Sequence, residues 1–189
     1  MSFNALLQPD VIGPALTANA PTTVNLGVGQ IERLTFTGTA GQTVALNVSA
    51  ESTTPAGQGV YVFVYQPGTI TPTNYYTYVF TNGSANTLNL PNLPASGTYT
   101  LSVATPYGVP GTVQVTLASG VTGTLPSNGT SQSYVANTPG QNAYLSFTAT
   151  AGQDLELELT NINVSGGSQN QVGVTVTNAA GTSIANISC

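Results

Sequence analysis

The chain repeats itself once. The stretch Gln30–Gln42 returns as Gln141–Gln153, with eight of 13 positions identical at a constant offset of 111. The likeness extends upstream, where Val11-Ile12-Gly13 matches Val121-Thr122-Gly123, and downstream, where Val60, Val62 and Val64 match Val172, Val174 and Val176. An internal repeat constrains a fold strongly, because each copy must be one folding unit of the same kind. Copy 1 runs over 10–118, copy 2 over 120–189, and 1–9 form an N-terminal extension. Cys189 aligns near Thr77, so roughly 40 residues of copy 1 have no counterpart in 120–189. The second copy is therefore expected to be incomplete.

Each copy reads as β-structure. Short segments of alternating apolar and polar residues recur between Gly, Pro and Asn turns, the pattern of half-buried strands. Thirty Thr and 19 Val fit that pattern, since branched side chains suit a pleated surface. Strands are expected near 23–28, 31–38, 42–49, 59–66, 76–81, 85–90, 97–104 and 111–118. In copy 2 they are expected near 121–125, 131–136, 142–149, 154–162, 171–178 and 182–188, with essentially no helix. Thr39–Gln42 and Thr150–Gln153 read as hairpin turns with Gly41 and Gly152 at positive φ. Alternation places Leu34, Phe36, Val44, Leu46 and Val48 in one core, closed by Leu101, Val103, Val113, Val115 and Leu117. Leu145, Phe147, Leu155, Leu157 and Leu159 are the expected equivalents in copy 2. The fold class is all-β: two tandem antiparallel β-sandwich, jelly-roll-like repeats, the second incomplete.

Charge excludes several functions. One Arg and six acidic residues are the only charges, against about a quarter of residues in ordinary domains. Nucleic acid needs a basic surface, and so does a polybasic membrane contact. No apolar run reaches the ~20 residues of a spanning helix. No basic n-region follows Met1, so no signal peptide is recognisable. A single Cys rules out an internal disulfide framework. Low charge with abundant Thr and Asn points to an extracellular or cell-surface setting.

The Phe-Thr-(Gly/Ala)-Thr-Ala-Gly-Gln turn is followed by alternating Leu and Val. Later come Leu93-Pro94-Ala95-Ser96-Gly97-Thr98-Tyr99-Thr100-Leu101 and Gly111-Thr112-Val113-Gln114-Val115-Thr116-Leu117. This order resembles the β-sandwich repeats of large secreted bacterial proteins, including those with rearrangement-hotspot repeats, and more distantly pre-peptidase C-terminal domains. The resemblance implies stalks, spacers, adhesion units or sugar-binding appendages, and brings no catalytic residues. Copy 2 departs from it by lacking the Leu-Pro-Ala-Ser-Gly-Thr-Tyr block and the closing strand.

Four groups of residues bear on function. Tyr61, Phe63, Tyr65, Tyr75, Tyr76, Tyr78 and Phe80 are half of the 14 aromatic residues. They point to burial against another domain or subunit, to glycan stacking, or to an unusual core. Asp154, Glu156 and Glu158 alternate along ~14 Å of an expected strand, a weak candidate for Ca²⁺ beside the simpler reading of a solvated face. Sequons at Asn47, Asn82, Asn128, Asn163 and Asn186 are candidate glycosylation sites. Met1, Phe3, Ala5 and Leu7 alternate in the extension, and eight extended residues span about 27 Å, one strand's length. That segment is a candidate donor strand for copy 2 of a neighbour.

No His or Lys is present to activate a nucleophile, Cys189 included, so no enzyme is expected. No cofactor is expected either. The leading expectation is a non-catalytic structural module of an extracellular or cell-surface assembly, a filament subunit joined by strand donation. The alternative is a carbohydrate- or surface-ligand-binding module. Partners are then further copies, neighbouring domains or a glycan, with no nucleic acid and no membrane insertion.

Overall fold

A computed structural model describes residues 5, 7–69, 76–79 (backbone), 85–90, 92–165 and 171–189. The chain falls into two compact units, Met1–Phe147 and Thr148–Cys189.

The first unit holds a complete β-sandwich. Its strands are β1 (Val11–Ala15), β2 (Pro21–Leu26), β3 (Ile31–Gly38), β4 (Val44–Thr53), β5 (Val60–Tyr65), β6 (Tyr76–Val79), β7 (Asn86–Leu90), β8 (Gly97–Ala104) and β9 (Gly111–Ser119). Five of them form one sheet, β1-β3-β8-β5-β6, and four form the other, β2-β9-β4-β7. Each sheet is organised around one strand: β8 pairs antiparallel with both β3 and β5, and β9 with both β2 and β4. Alternation does the rest. Leu34, Phe36, Val60, Val62, Val64, Tyr99, Leu101 and Val103 from one sheet meet Val24, Leu46, Val48, Leu90, Val113 and Val115 from the other in a single core. Phe36 stacks on Tyr99 with ring centroids 5.0 Å apart, the aromatic centre of that core.

The expected bounds of β3 hold, as do those of β8, and the first copy's core residues are buried as expected. The only helical turn among the described residues is a 3-10 turn at Pro106–Gly108. Two expectations fail. Val11–Ala15 forms a strand, parallel to β3, although Gly13 and Pro14 interrupt its alternation. And Thr39–Gln42 is no hairpin, because it joins β3 to β4 in the opposite sheet. Gly41 at φ +79° is its one positive-φ residue, the type II pattern, whose twist splays flanking strands instead of pairing them.

That turn carries a device used four times among the described residues. In Gly27–Gln30, Thr39–Gln42, Thr138–Gln141 and Thr150–Gln153 a positive-φ glycine precedes a glutamine whose amide N–H closes the turn. The glutamine Oε1 then accepts from the N–H of the turn's first residue, at 2.8 Å for Gly27, 2.9 Å for Thr39, 3.3 Å for Thr138 and 3.0 Å for Thr150. A donor that the open sheet ends would leave unsatisfied is thereby paired.

The rest of the first unit begins the second copy. β10 (Val121–Thr124) runs parallel to β11 (Ala143–Ser146), as β1 runs parallel to β3. The register repeats as well: Val11 faces Glu32 and Ile12 faces Arg33, while Val121 faces Ala143 and Thr122 faces Tyr144. The glycine following each pair is required by close approach. A Cβ on Gly13 would lie 2.8 Å from Leu34 Cδ2, and one on Gly123 would lie 2.3 Å from Tyr134 Cε1. This segment also covers the outer face of the four-stranded sheet. Asn142 Nδ2 donates to Asn89 Oδ1 at 2.6 Å, and Gly140 lies against Asn47 and Thr87. That is why Ala45 and Asn47, on the face of β4 away from the core, are buried.

The second unit contains the Thr150–Gln153 turn and one hairpin, β12 (Gly173–Thr177) with β13 (Ser183–Ser188). Val172 and Cys189 extend its ladder by exchanging backbone hydrogen bonds at 2.8 and 2.9 Å. Asn178 shapes its turn, Oδ1 accepting from the N–H groups of Ala180 and Thr182. The strands expected at 131–136 and 154–162 do not form. Leu145 and Leu159 are only half-buried, while Phe147, Leu155 and Leu157 are exposed. The reason is topological. In the first copy, the equivalents of 131–136 and 154–162 are β2 and β4, and both pair with β9. No described strand of 120–189 takes the place of β9 or of β8.

Candidate functional site

β5 alternates Val60, Val62 and Val64, all fully buried, with half-buried Tyr61, Phe63 and Tyr65 on the other face of the sheet. Register across β3, β8 and β5 arranges that face in rows: Ile31, Ala104 and Tyr61; Arg33, Ser102 and Phe63; Thr35, Thr100 and Tyr65. The Tyr61 and Phe63 rings stack at 5.9 Å. Arg33, the chain's one cation, places its guanidinium 6.0 Å from the centroid of the Tyr65 ring while its Nε donates to Asp10 Oδ2. The face thus offers ring surfaces, hydroxyls and one charge held in an ion pair. Such a face suits a planar apolar or hydroxyl-rich partner, whether another protein surface or a sugar.

Of the other expected aromatic residues, Tyr76 and Tyr78 are the register partners of Phe63 and Tyr61, and Tyr75 and Phe80 lie outside the described residues. Asp154, Glu156 and Glu158 are exposed on a segment that forms no strand, so the row on one strand face is absent. Among the described residues no three acidic, His or Cys side chains gather as metal ligands. Of the sequon residues, Asn47 is 5 % exposed and donates to Thr87 Oγ1 at 3.3 Å, which closes it to a glycosyltransferase in the folded sandwich. Asn128, Asn163 and Asn186 are exposed, and Asn82 lies outside the described residues. In the N-terminal extension Ala5 is exposed and Leu7 is 98 % exposed; Met1 and Phe3 lie outside the described residues.

Two carboxylates escaped the sequence reading. Glu32 is buried, and its Oε2 accepts from the Asn25 N–H at 3.3 Å; desolvation still raises its pKa above the ordinary 4.5, against the lowering effect of that bond. Its signal lay in the phase, since Glu32 alternates with Leu34 and Phe36 on the core side. Glu51 is buried with neither carboxylate oxygen hydrogen-bonded, and desolvation raises its pKa too. Its position follows a register shift between Ser49 and Ser52, with Ala50 at φ +49°, which alternation does not foretell. A shallow concavity of about 320 Å³ near the sheet end, bordered by Asn25, Ser52 and Thr112, contains no ionisable side chain.

No family model matches the chain, and no curated protein does. Solved structures do show likeness. The pre-peptidase C-terminal domain of a Bacillus anthracis collagenase is 15 % identical at a TM-score of 0.39, over 60 % of this chain and 99 % of its own. Periplasmic inhibitors of g-type lysozyme give 17 % identity and a TM-score of 0.38 for Aeromonas hydrophila, and 15 % and 0.35 for Salmonella Typhimurium. Each covers 57 % of this chain, and 96 and 98 % of its own. Likeness of this degree assigns no function. The resemblance to rearrangement-hotspot proteins has no counterpart among these three. No helix among the described residues is long and apolar enough to cross a membrane.

Proposed function

We propose that the chain is a non-catalytic structural module of an extracellular or cell-surface assembly, linked to its neighbours by β-strand addition. One observation carries the reading. The second repeat rebuilds the parallel pair and the hairpin of the first, yet leaves apolar residues such as Phe147 and Leu155 exposed where, among the described residues, no central strand covers them. Exposed strand edges beside apolar side chains are sites of further pairing. The donor is residues 1–8 of a second copy, with Phe3, Ala5 and Leu7 at alternate positions. Donor and acceptor are different surfaces, so the contact is heterologous and builds a filament. The surroundings are extracellular, since a surface of Thr, Asn, Ser and Gln with seven charges and no His barely changes its charge between pH 6 and 9. Light scattering on the intact chain and on one lacking residues 1–8 tests this: the intact chain polymerises with concentration, and the truncated chain stays monomeric. An intact chain that remains monomeric would refute it.

A second reading has its own support in the half-buried ladder Tyr61, Phe63 and Tyr65 beside Thr35, Thr100 and Arg33. There the chain binds polysaccharide by stacking. Saturable binding on a glycan array, lost in Tyr65→Ala, favours that reading; no binding to any glycan removes it.

A further inference from the structure

We infer that the outer face of the four-stranded sheet, at its open end, binds one neutral hexopyranose residue through the side chains of Asn25, Ser52, Thr54 and Thr112. The site is independent of strand addition, and the aromatic ladder of β5 belongs to the other sheet.

Register builds the site. Thr112 of β9 pairs with Asn25 of β2 on one side and with Ser52 of β4 on the other, so the three stand in one row. Their neighbours Val24, Leu26 and Val113 are buried, which turns the row outward, and all three of its members are exposed. Towards the other end of this face Gly140 lies against Asn47 and Thr87. At the end of the row a concavity of about 320 Å³ stays open, with Thr54, Gly27 and Pro110 around it. Both of its walls are held in place. The Thr54 N–H donates to the Pro110 carbonyl at 3.0 Å, and the Gly27 N–H donates to Gln30 Oε1 at 2.8 Å. Among the described residues, the side chains of Asn25, Ser52, Thr54 and Thr112 make no hydrogen bond to another protein group. Their donors and acceptors are available to a ligand.

The register shift in β4 selects the kind of ligand. Ser49 lies opposite Gln114, so an unbroken register would bring Glu51 opposite Thr112. The extra residue brings Ser52 there instead, as bulges do when they re-aim a side chain. Glu51 turns inward, where neither carboxylate oxygen has a hydrogen-bond partner, and Ala50 takes φ +49°. A buried unpaired carboxyl and a left-handed alanine are both unfavourable. What they produce is a row of one amide and two hydroxyls from which a carboxylate has been withdrawn. Amide and hydroxyl groups recognise hydroxyls as donors and acceptors at once, and the concavity offers an ionic ligand no counter-charge. Its volume lies at the small end of ligand cavities, about 300–1,000 Å³, and suits a single sugar ring.

The test titrates the full isotope-labelled chain with methyl glucoside, methyl galactoside and methyl mannoside, following backbone amide shifts. At least one glycoside should bind saturably, with Kd on the order of 1 mM, and should move the amides of 25–27, 52–54 and 111–112. Thr112→Val keeps the strand and removes one hydroxyl, and it should weaken binding about tenfold. Ser52→Ala should act in the same direction, while Tyr65→Ala should leave the affinity unchanged. No saturable shift with any of the three glycosides overturns the inference. So does binding that ignores both Thr112→Val and Ser52→Ala. Shifts centred on 61–65 and lost in Tyr65→Ala would also overturn it, and would favour the aromatic face as the sugar site.

Discussion

The two repeats share structure where they share partners and diverge where the partner is missing. Thr39–Gln42 and Thr150–Gln153 adopt the same turn, because a positive-φ glycine and a glutamine side chain determine it locally. β1 with β3 and β10 with β11 take the same parallel register, because each pair carries its own ladder. By contrast, Leu34 and Phe36 are buried, while Leu145 is half-buried and Phe147 exposed. Identical residues thus end in different environments. The difference lies in β8 and β9, the strands around which both sheets of the first repeat are organised. Local chemistry makes turns and pairs, and a central strand turns pairs into a core.

Mutation of matched residues can break this comparison, and the largest effect is expected at the phenylalanines. Phe36→Ala should destabilise the first repeat by about 3–5 kcal/mol, the loss of a buried ring and of its Tyr99 contact. Phe147→Ala should change the stability read from that urea transition by under about 1 kcal/mol, because Phe147 is 42 % exposed and not enclosed in a core. Equal losses would show that both repeats are cored alike.

A smaller and opposite pair is Gly38 and Ala149, which occupy the same place in the repeat. A Cβ on Gly38 would lie 2.5 Å from Leu93 Cδ1 and 3.0 Å from Tyr99 Cε2, both in the packed core. Gly38→Ala should therefore destabilise by about 1–3 kcal/mol through overpacking. Ala149 already carries that methyl and is exposed. Ala149→Gly should have an effect below about 1 kcal/mol in the same urea titration.

The turn glycines sharpen the comparison from the other side. Gly41 and Gly152 have φ of +79° and +81°, and a Cβ on either meets nothing within 4 Å. Substitution by Ala should cost about 1–2 kcal/mol at each turn, from backbone conformation alone. Amide exchange at Gln42 and Gln153 should accelerate by similar factors in the two variants.

The pH dependence should belong to the first repeat, which holds Glu32 and Glu51. Both carboxyls have folded pKa values raised above 4.5, so the native state binds protons more readily than the unfolded chain. Their protonation stabilises fully below about pH 4.5, and that stabilisation is lost as pH rises through the folded values. The melting temperature should rise on acidification from pH 7 to 5, and Glu51→Gln should flatten the profile. A profile rising with pH would contradict the assignment.

How much was legible in the sequence follows from the same contrast. Alternation revealed β3 and β8, their inward faces and the aromatic face of β5, since each strand's period reflects one dry side. It did not reveal β1, whose Gly13 and Pro14 interrupt the pattern, nor Glu51, whose position depends on a register shift. It overstated 131–136 and 154–162. Those segments alternate as strands do, but a strand needs a ladder, and the ladder partner of their equivalents is β9. Short separation suggests a hairpin at Thr39–Gln42, but both flanking strands find longer partners elsewhere, so the turn is an arch between sheets.

Amide hydrogen exchange resolved along the chain tests the central claim most directly, that among the described residues of 120–189 no strand takes the place of β8 or β9. Protection should be strong at 31–38, 44–53, 97–104 and 111–119, intermediate at 143–146 and 173–177, and near random-coil rates at 131–136 and 154–162. Protection of 154–162 equal to that of 44–53 would contradict the claim, because a ladder would then exist where no central strand supplies one.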